Sequence, residues 1–421
     1  MTLLTSESPS SPAIAATTPA RAERLLLGQT ALAFVVLAVI LLLTAAAGAS
    51  FGTVPRMLGR QLGWFEAWVR WDAGWYRSIA EQGYFYLPGR QSSVAFFPTY
   101  PLAMRAGSTF LHPYVVGIGL TLVSGLSASV LFASWCSQRM AGRAAATAVA
   151  LLLLYPFSLY LYGAVYADAL LLLTALAAFA LLESGRPWLA GLVGILATAG
   201  RPVGIAVTIG LAVRAVELAG RRAPLKQVPP TMDAGRPWSW PAVRRRWVHH
   251  VRLVRWSDTG VLVSGLGLVG YAGFLWLRFG NPLTFVAAQA APPWNQGAGW
   301  HTWLKVRFWK TMLSGDAGDT IRLLVPAALC LLVIVLLPRV RRRFGWGYAA
   351  YTAVIVALPV VGTKDFLGAG RYLLVAFPVF ALLAEPLAAS PSRWLRPVVL
   401  TVSAAGLLFA TALYGFGYLV S

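Results

Sequence analysis

Acid is scarce in this chain: 14 Asp and Glu stand against 35 Lys and Arg in 421 residues, and all charged residues together make up 12%. A soluble domain carries about a quarter of its residues charged, so this composition excludes a water-facing globule. Cysteine is rarer still. Cys136 and Cys330 both fall inside apolar runs, which removes a disulfide framework or thiolate metal site and leaves two small packed residues. HExxH, Walker, GxSxG and paired-cysteine motifs are all missing, so zinc-protease, ATPase and serine-hydrolase readings have no support. The net charge of +21 is not gathered on one face but punctuates apolar segments. That pattern argues against nucleic acid and for basic cytoplasmic loops beside membrane lipids.

What remains is apolar. Hydrophobic residues make up 58% of the chain and its mean hydropathy is +0.67, as expected of an all-α membrane protein. Apolar runs long enough for a hydrocarbon core about 30 Å thick recur from Leu25 onward. We read a polytopic helical bundle of about eleven transmembrane helices. A disordered cytoplasmic tail (1–22) precedes a single membrane domain (23–420), with external loops over 51–112 and 281–319 and a basic cytoplasmic loop over 219–258. The last, with "RRAPLK" and "VRRRWVHHVRLVR", sets the orientation by the preference for Lys and Arg inside. Crossings are expected at 25–48, 114–136, 144–161, 166–182, a short pair flanking "GRPVG" at Arg201, 261–277, 321–337, 347–361, 372–384 and 395–414. A basic turn "PRVRRRFGWG" precedes 347–361, and "VAFFPTYPLAMRAGSTFL" is expected to be re-entrant, because Pro98, Pro101 and Arg105 oppose a full crossing.

On this topology "WVRWDAGWYRSIAEQGY" lies outside. Trp64, Trp68, Trp71 and Trp75 fall at i, i+4, i+7 and i+11, one face of a helix lying in the interface. Pairs Glu66–Arg70 and Arg77–Glu81 are expected to clothe its other side. Asp72 sits at the margin of that stripe, where desolvation raises an acid's proton affinity unless a cation or a substrate hydroxyl meets it. It is a candidate base, with a helix cap or a partner arginine as the structural alternative. Asp168, in "LYGAVYADALLLL", stands at the end of two apolar helices, where an ionisable group marks a site or caps a helix. Arg201 in "ATAGRPVG" and Arg371 in "GAGRYLL" suit phosphate, guanidinium being a bidentate partner for it. Lys364 is a candidate substrate contact or a snorkelling cation. Trp71, Trp75, Tyr76 and His301 complete the candidate substrate contacts, with a structural role as the alternative for the lone histidine.

The blocks "RWDAGWYRSIAEQGY" and "AFFPTYPL", then "YPFSLYLYGAVYADALLLL", "GRPVG" and "GRYLLVAFPVF", resemble the PIG-V-like membrane mannosyltransferases over most of the chain from Trp68 to Phe380. The resemblance implies a GT-C-like fold, a site on the external face, and a mannosyl or other hexosyl unit taken from a polyprenyl-phosphate donor. It places the catalytic base at Asp72 and a second acid at Asp168, with Arg201 and Arg371 on the donor phosphate. It implies inverting displacement with no cofactor required; Asp72 with Asp168 could hold a divalent metal only weakly. The alanine- and arginine-rich composition suggests a bacterial plasma membrane protein, so the acceptor, whether lipid, glycan or protein, does not carry over. A secondary transporter or a flippase for lipid-linked sugars is the rival reading. It would place charges near the bilayer midplane and discontinuous helices in matched halves.

Overall fold

The computed structural model describes residues 19–52, 62–222, 247–297, 299–315 and 317–420, and every regular element among them is helical. Among the described residues, six helices are long and apolar enough to cross a membrane: Ala20–Phe51, Pro113–Ser137, Pro202–Arg221, Trp256–Phe279, Ala317–Phe344 and Leu395–Phe416. Four shorter apolar helices pack among them, Gly142–Leu154, Pro187–Thr198, Trp346–Gly362 and Phe377–Ala389, with Asp168–Glu183 beside them. The chain is therefore a polytopic helical membrane protein. Helix Thr99–Gly107 has 9 residues, about 13 Å at 1.5 Å per residue. That is too short to span.

Small residues set the closest packing. A Cβ on Gly48 would meet the Ala412 carbonyl oxygen at 2.4 Å, and one on Gly415 would meet that of Ala45 at 2.2 Å. The first and last long helices therefore touch backbone to backbone, the contact that small residues allow inside a bilayer.

Several expected boundaries move, each for a local reason. The first helix begins at Pro19, inside the expected tail. The crossing expected over 144–161 stops at Leu154, because Pro156 holds Tyr155 extended (ψ 134°); Ser158–Leu161 then forms a 3₁₀ turn. The expected basic turn is helical instead. Helix Ala317–Phe344 carries Pro338 and the following arginines within it, and the chain reverses at Gly345, whose φ of 105° suits glycine. The crossing expected over 372–384 is broken between Ala369–Leu374 and Phe377–Ala389, at a point where Pro378 has no N–H to continue the ladder. The loop expected over 281–319 holds the short helices Thr284–Ala290, Trp300–Trp303 and Val306–Ser314. Most of the basic loop, residues 223–246, lies outside the described residues, as do residues 1–18 of the tail. Its flanks meet where Arg222 Nη1 donates to both Asp258 carboxylate oxygens at 2.9 and 3.0 Å.

The helix Asp168–Glu183 separates two charged layers. Asp168 and Glu183 mark its ends, about 22 Å apart by helical rise. At the Glu183 end, Arg214 Nε donates to Glu183 Oε1 at 2.9 Å and its Nη1 to Glu217 Oε2 at 3.1 Å. Arg139 closes on Glu183, and Glu217 accepts from the Trp346 and Gly347 N–H groups. This network staples the turn at Gly345 to the bundle. The second charged layer is at the Asp168 end.

Candidate active site

Asp72 reaches its position through an irregular segment. The 3₁₀ turn Gly63–Trp68 ends, Val69 (φ −98°, ψ 88°) and Arg70 lie outside any helix, and Trp71 takes φ 52° before helix Ala73–Gln82 begins. The single tryptophan-striped helix is therefore not formed. Tertiary contacts override its period: the Trp68 carbonyl accepts from Val165 N–H at 3.3 Å and Tyr414 Oη at 3.2 Å, and Arg70 Nη2 donates to the Gly415 carbonyl at 3.1 Å. Trp68 is buried while Trp64 and Trp71 are exposed. Glu66 and Arg70 are buried as well, not spread over a solvent face; Arg77–Glu81 forms a surface pair as expected, at 2.8 Å. The segment facing Trp68 approaches so closely that a Cβ on Gly163, at φ 123°, would stand 3.0 Å from the indole.

Asp72 ends this segment at the start of its helix. Its side chain makes no capping bond; its N–H donates to Tyr166 Oη at 3.3 Å. Arg371 Nη1 donates to Asp72 Oδ2 at 3.1 Å, and Arg371 Nε lies 3.9 Å from Asp168 Oδ2. Arg201 Nη1 contacts Asp168 Oδ1. Four residues named from sequence thus form one chain of charge, Asp72–Arg371–Asp168–Arg201. Asp168 is 1% exposed and is itself the first residue of its helix, with Ala167 in the capping position. Its carboxylate faces cations, not the helix start.

Tyrosines that sequence reasoning left unassigned wrap this cluster. The Arg371 guanidinium lies 4.9 Å from the Tyr166 ring centroid and 5.4 Å from that of Tyr160, and Arg201 lies 5.0 Å from that of Tyr372. Such contacts with the negative face of a ring support a cation removed from water. A signal was present in the sequence: Tyr160, Tyr162 and Tyr166 fall within seven residues of an otherwise apolar block.

Two chambers share a wall formed in part by Asp72, Arg371 and Tyr372. The first, about 160 Å³, is lined also by Tyr76, Phe96 and Arg201; the second, about 380 Å³, also by Arg307, Lys364 and Asp365. Burial pushes the Tyr76 phenol well above its ordinary pKa, against the pull of Arg201, so it stays a hydrogen-bond donor. In the second chamber Lys364 Nζ donates to the Trp294 carbonyl, and the Lys364 N–H to Gln296 Oε1 at 2.9 Å. Its pKa is lowered by burial and then by Arg307.

The remaining candidates fall elsewhere. Trp75 packs on Phe96 and Trp294, ring centroids 5.7 and 5.5 Å away, behind the chamber wall. Trp71 and His301 line neither chamber; His301 stacks on Trp300 at 3.5 Å. The Arg371 guanidinium lies between the Asp72 and Asp168 carboxylates. No cluster of three or more His, Cys, Asp or Glu suited to a metal occurs among the described residues.

Fold and site define a polytopic helical membrane protein with a buried acid–arginine cluster at one end of its bundle. Residues 44–216 match the family model described as Mannosyltransferase (PIG-V), and over that stretch the chain is PIG-V-like. GPI alpha-1,6-mannosyltransferase 2 of Cricetulus griseus is 35% identical over 158 residues, 35% of this chain and 31% of that protein. Its Rattus norvegicus counterpart is 33% identical over 171 residues, 38% of this chain and 33% of that one. The chain thus spans about a third of the length of these curated relatives. Among solved structures, the Archaeoglobus fulgidus oligosaccharyltransferase in the apo form aligns over 91% of this chain and 56% of its own, with a TM-score of 0.40 and 12% identity. Asp72, Asp168 and Arg201 lie within the matched stretch. Arg371 lies beyond it and is joined to the others by the fold.

Proposed function

We propose that this chain is a GT-C-type membrane glycosyltransferase that moves a hexosyl unit, mannose on the strength of its relatives, from a polyprenyl phosphate to an acceptor hydroxyl on the external face. The observation that carries the reading is the position of Asp72, on the wall common to an aromatic chamber and a cation-lined one. The acceptor hydroxyl gives its proton to the Asp72 carboxylate as its oxygen bonds to the anomeric carbon. The bond from that carbon to the phosphate oxygen breaks, and its electron pair leaves with the phosphate. Base and leaving group act on opposite faces, so the configuration inverts, with an oxocarbenium-like state between them by analogy with glycoside hydrolysis.

Arg371, with Arg307 and Lys364 in the second chamber, would receive the developing phosphate charge, an arrangement in which fixed cations act most strongly away from water. Arg201 and Tyr76 would line the sugar's side. Transfer in this scheme requires no metal, since the guanidinium of Arg371 already bridges the two acids.

The test incubates membranes holding the wild type or Asp72→Asn with radiolabelled polyprenyl-phosphate mannose and a native lipid and glycan extract. Labelled product from the wild type, reduced about 10²–10⁴-fold in a normally expressed Asp72→Asn, supports the assignment. Equal product from both would remove Asp72 as base. No product from either, with donor and acceptors shown to be present, would turn the reading toward another sugar or toward transport.

A further inference from the structure

A further concavity lies behind the first chamber. Helices Ala73–Gln82, Thr99–Gly107 and Leu266–Phe279 enclose a groove of about 670 Å³ whose walls are mainly apolar, Leu102, Gly270, Tyr271 and Phe274 among them. It is separated from the chamber by the strip Val94–Phe97. Tyr271 Oη donates to the Val94 carbonyl at 2.7 Å and Tyr84 Oη to that of Phe96 at 3.0 Å from the groove side, while Ala95, Phe96 and Phe97 line the chamber on the other.

Two arginines stand at this groove. Arg105 and Arg278 both line it, both are exposed, and neither is paired with an acid among the described residues. Each sits in the last turn of its helix and so complements a helix dipole. That role accounts for one cation on each helix. It does not account for both guanidinium groups lining one apolar groove. Helix Trp256–Phe279 is a candidate membrane span, with Leu266, Val269 and Trp276 exposed along it. Two guanidinium groups lining one apolar slot, Arg278 at the end of a candidate span, are complementary to a phosphate attached to a hydrocarbon chain.

We propose that this groove seats an acyl chain of an anionic phospholipid, with Arg105 and Arg278 holding its phosphate. The lipid buttresses the strip Val94–Phe97 from the side opposite the reaction chamber. Gly270 leaves room for the chain: a Cβ built there meets nothing within 4 Å.

The full-length protein, purified in a mild detergent with equimolar dioleoyl phosphatidylglycerol and dioleoyl phosphatidylcholine, is weighed intact by native mass spectrometry. The wild type should retain the anionic lipid about tenfold over the zwitterionic one, given the contribution of each basic residue near a lipid surface. Arg105→Gln with Arg278→Gln should bring the ratio to about one. Gly270→Leu keeps both charges, fills the slot and should lower retention of both lipids. Equal retention by the wild type, an unchanged preference in the double variant, or undiminished retention in Gly270→Leu would each overturn the proposal.

Discussion

Asp72 and Asp168 share one arginine, yet their loss should have different consequences. Asp168 is 1% exposed and faces Arg201 and Arg371. Asp168→Asn leaves two buried guanidinium groups with Asp72 as the remaining acid of the cluster. Removing one partner from a buried ion pair costs about 3–5 kcal/mol, chiefly because an uncompensated charge stays buried. The Asp72 side chain is 29% exposed and borders both chambers, so water can replace it beside Arg371. Asp72→Asn should cost about 1 kcal/mol and act mainly on turnover. Reversible unfolding in mixed SDS micelles, run beside the transfer assay, separates the two effects. The double variant Asp168→Asn with Arg201→Gln restores the charge balance and should regain at least half of the lost stability. If Asp168→Asn unfolds within about 1 kcal/mol of the wild type, or the double variant is no more stable than the single, the charge-balance argument is wrong and Asp168 acts in the chemistry itself.

Glu217→Gln should loosen the opposite end of the bundle, since it weakens both the pair with Arg214 and the bonds from Trp346 and Gly347 N–H; protease cleavage near Gly345, followed by mass mapping, should rise while donor binding is kept. Gly415→Leu should cost more than 2 kcal/mol, because its side chain would meet the Ala45 carbonyl at 2.2 Å, and the same unfolding assay reads it against Gly28→Leu, where the space is open. Lys305 Nζ donates to the Pro359 and Thr363 carbonyls, and its pKa is lowered to about 8 by burial, with Asp365 opposing. Because the folded pKa lies below the unfolded 10.5, stability should rise as pH goes from about 8 toward 10.5 and stay level below 8; this slope should be missing from the Lys305→Met curve.

The site's residues were legible for the same reason that its geometry was not. Acid is so scarce in this chain that Asp72 among tryptophans and Asp168 at the mouth of apolar helices stand out against their surroundings, and Arg201 is marked by its glycine and proline neighbours. These signals are local, whereas the bond that joins them is not. Arg371 is 299 positions from Asp72, and no periodicity or spacing connects them. The tryptophan stripe failed on the same distinction. Its helical period was real in the letters, but the backbone bond from Val165 and Arg70's bond to Gly415 hold residues 69–72 out of helix, and Trp71 takes a left-handed turn that costs a non-glycine residue about 1–3 kcal/mol. The supporting contacts offset that cost and aim Asp72 at Arg371, where a continuous helix would carry it along a surface. The tyrosines escaped for a related reason: Tyr160 and Tyr166 stand on the irregular connection ahead of Asp168, where neither helix nor strand period reveals a facing direction. Hydropathy therefore gives the helices that carry the site, while the ends and breaks of those helices determine its chemistry, because there the backbone is free to turn a polar side chain inward.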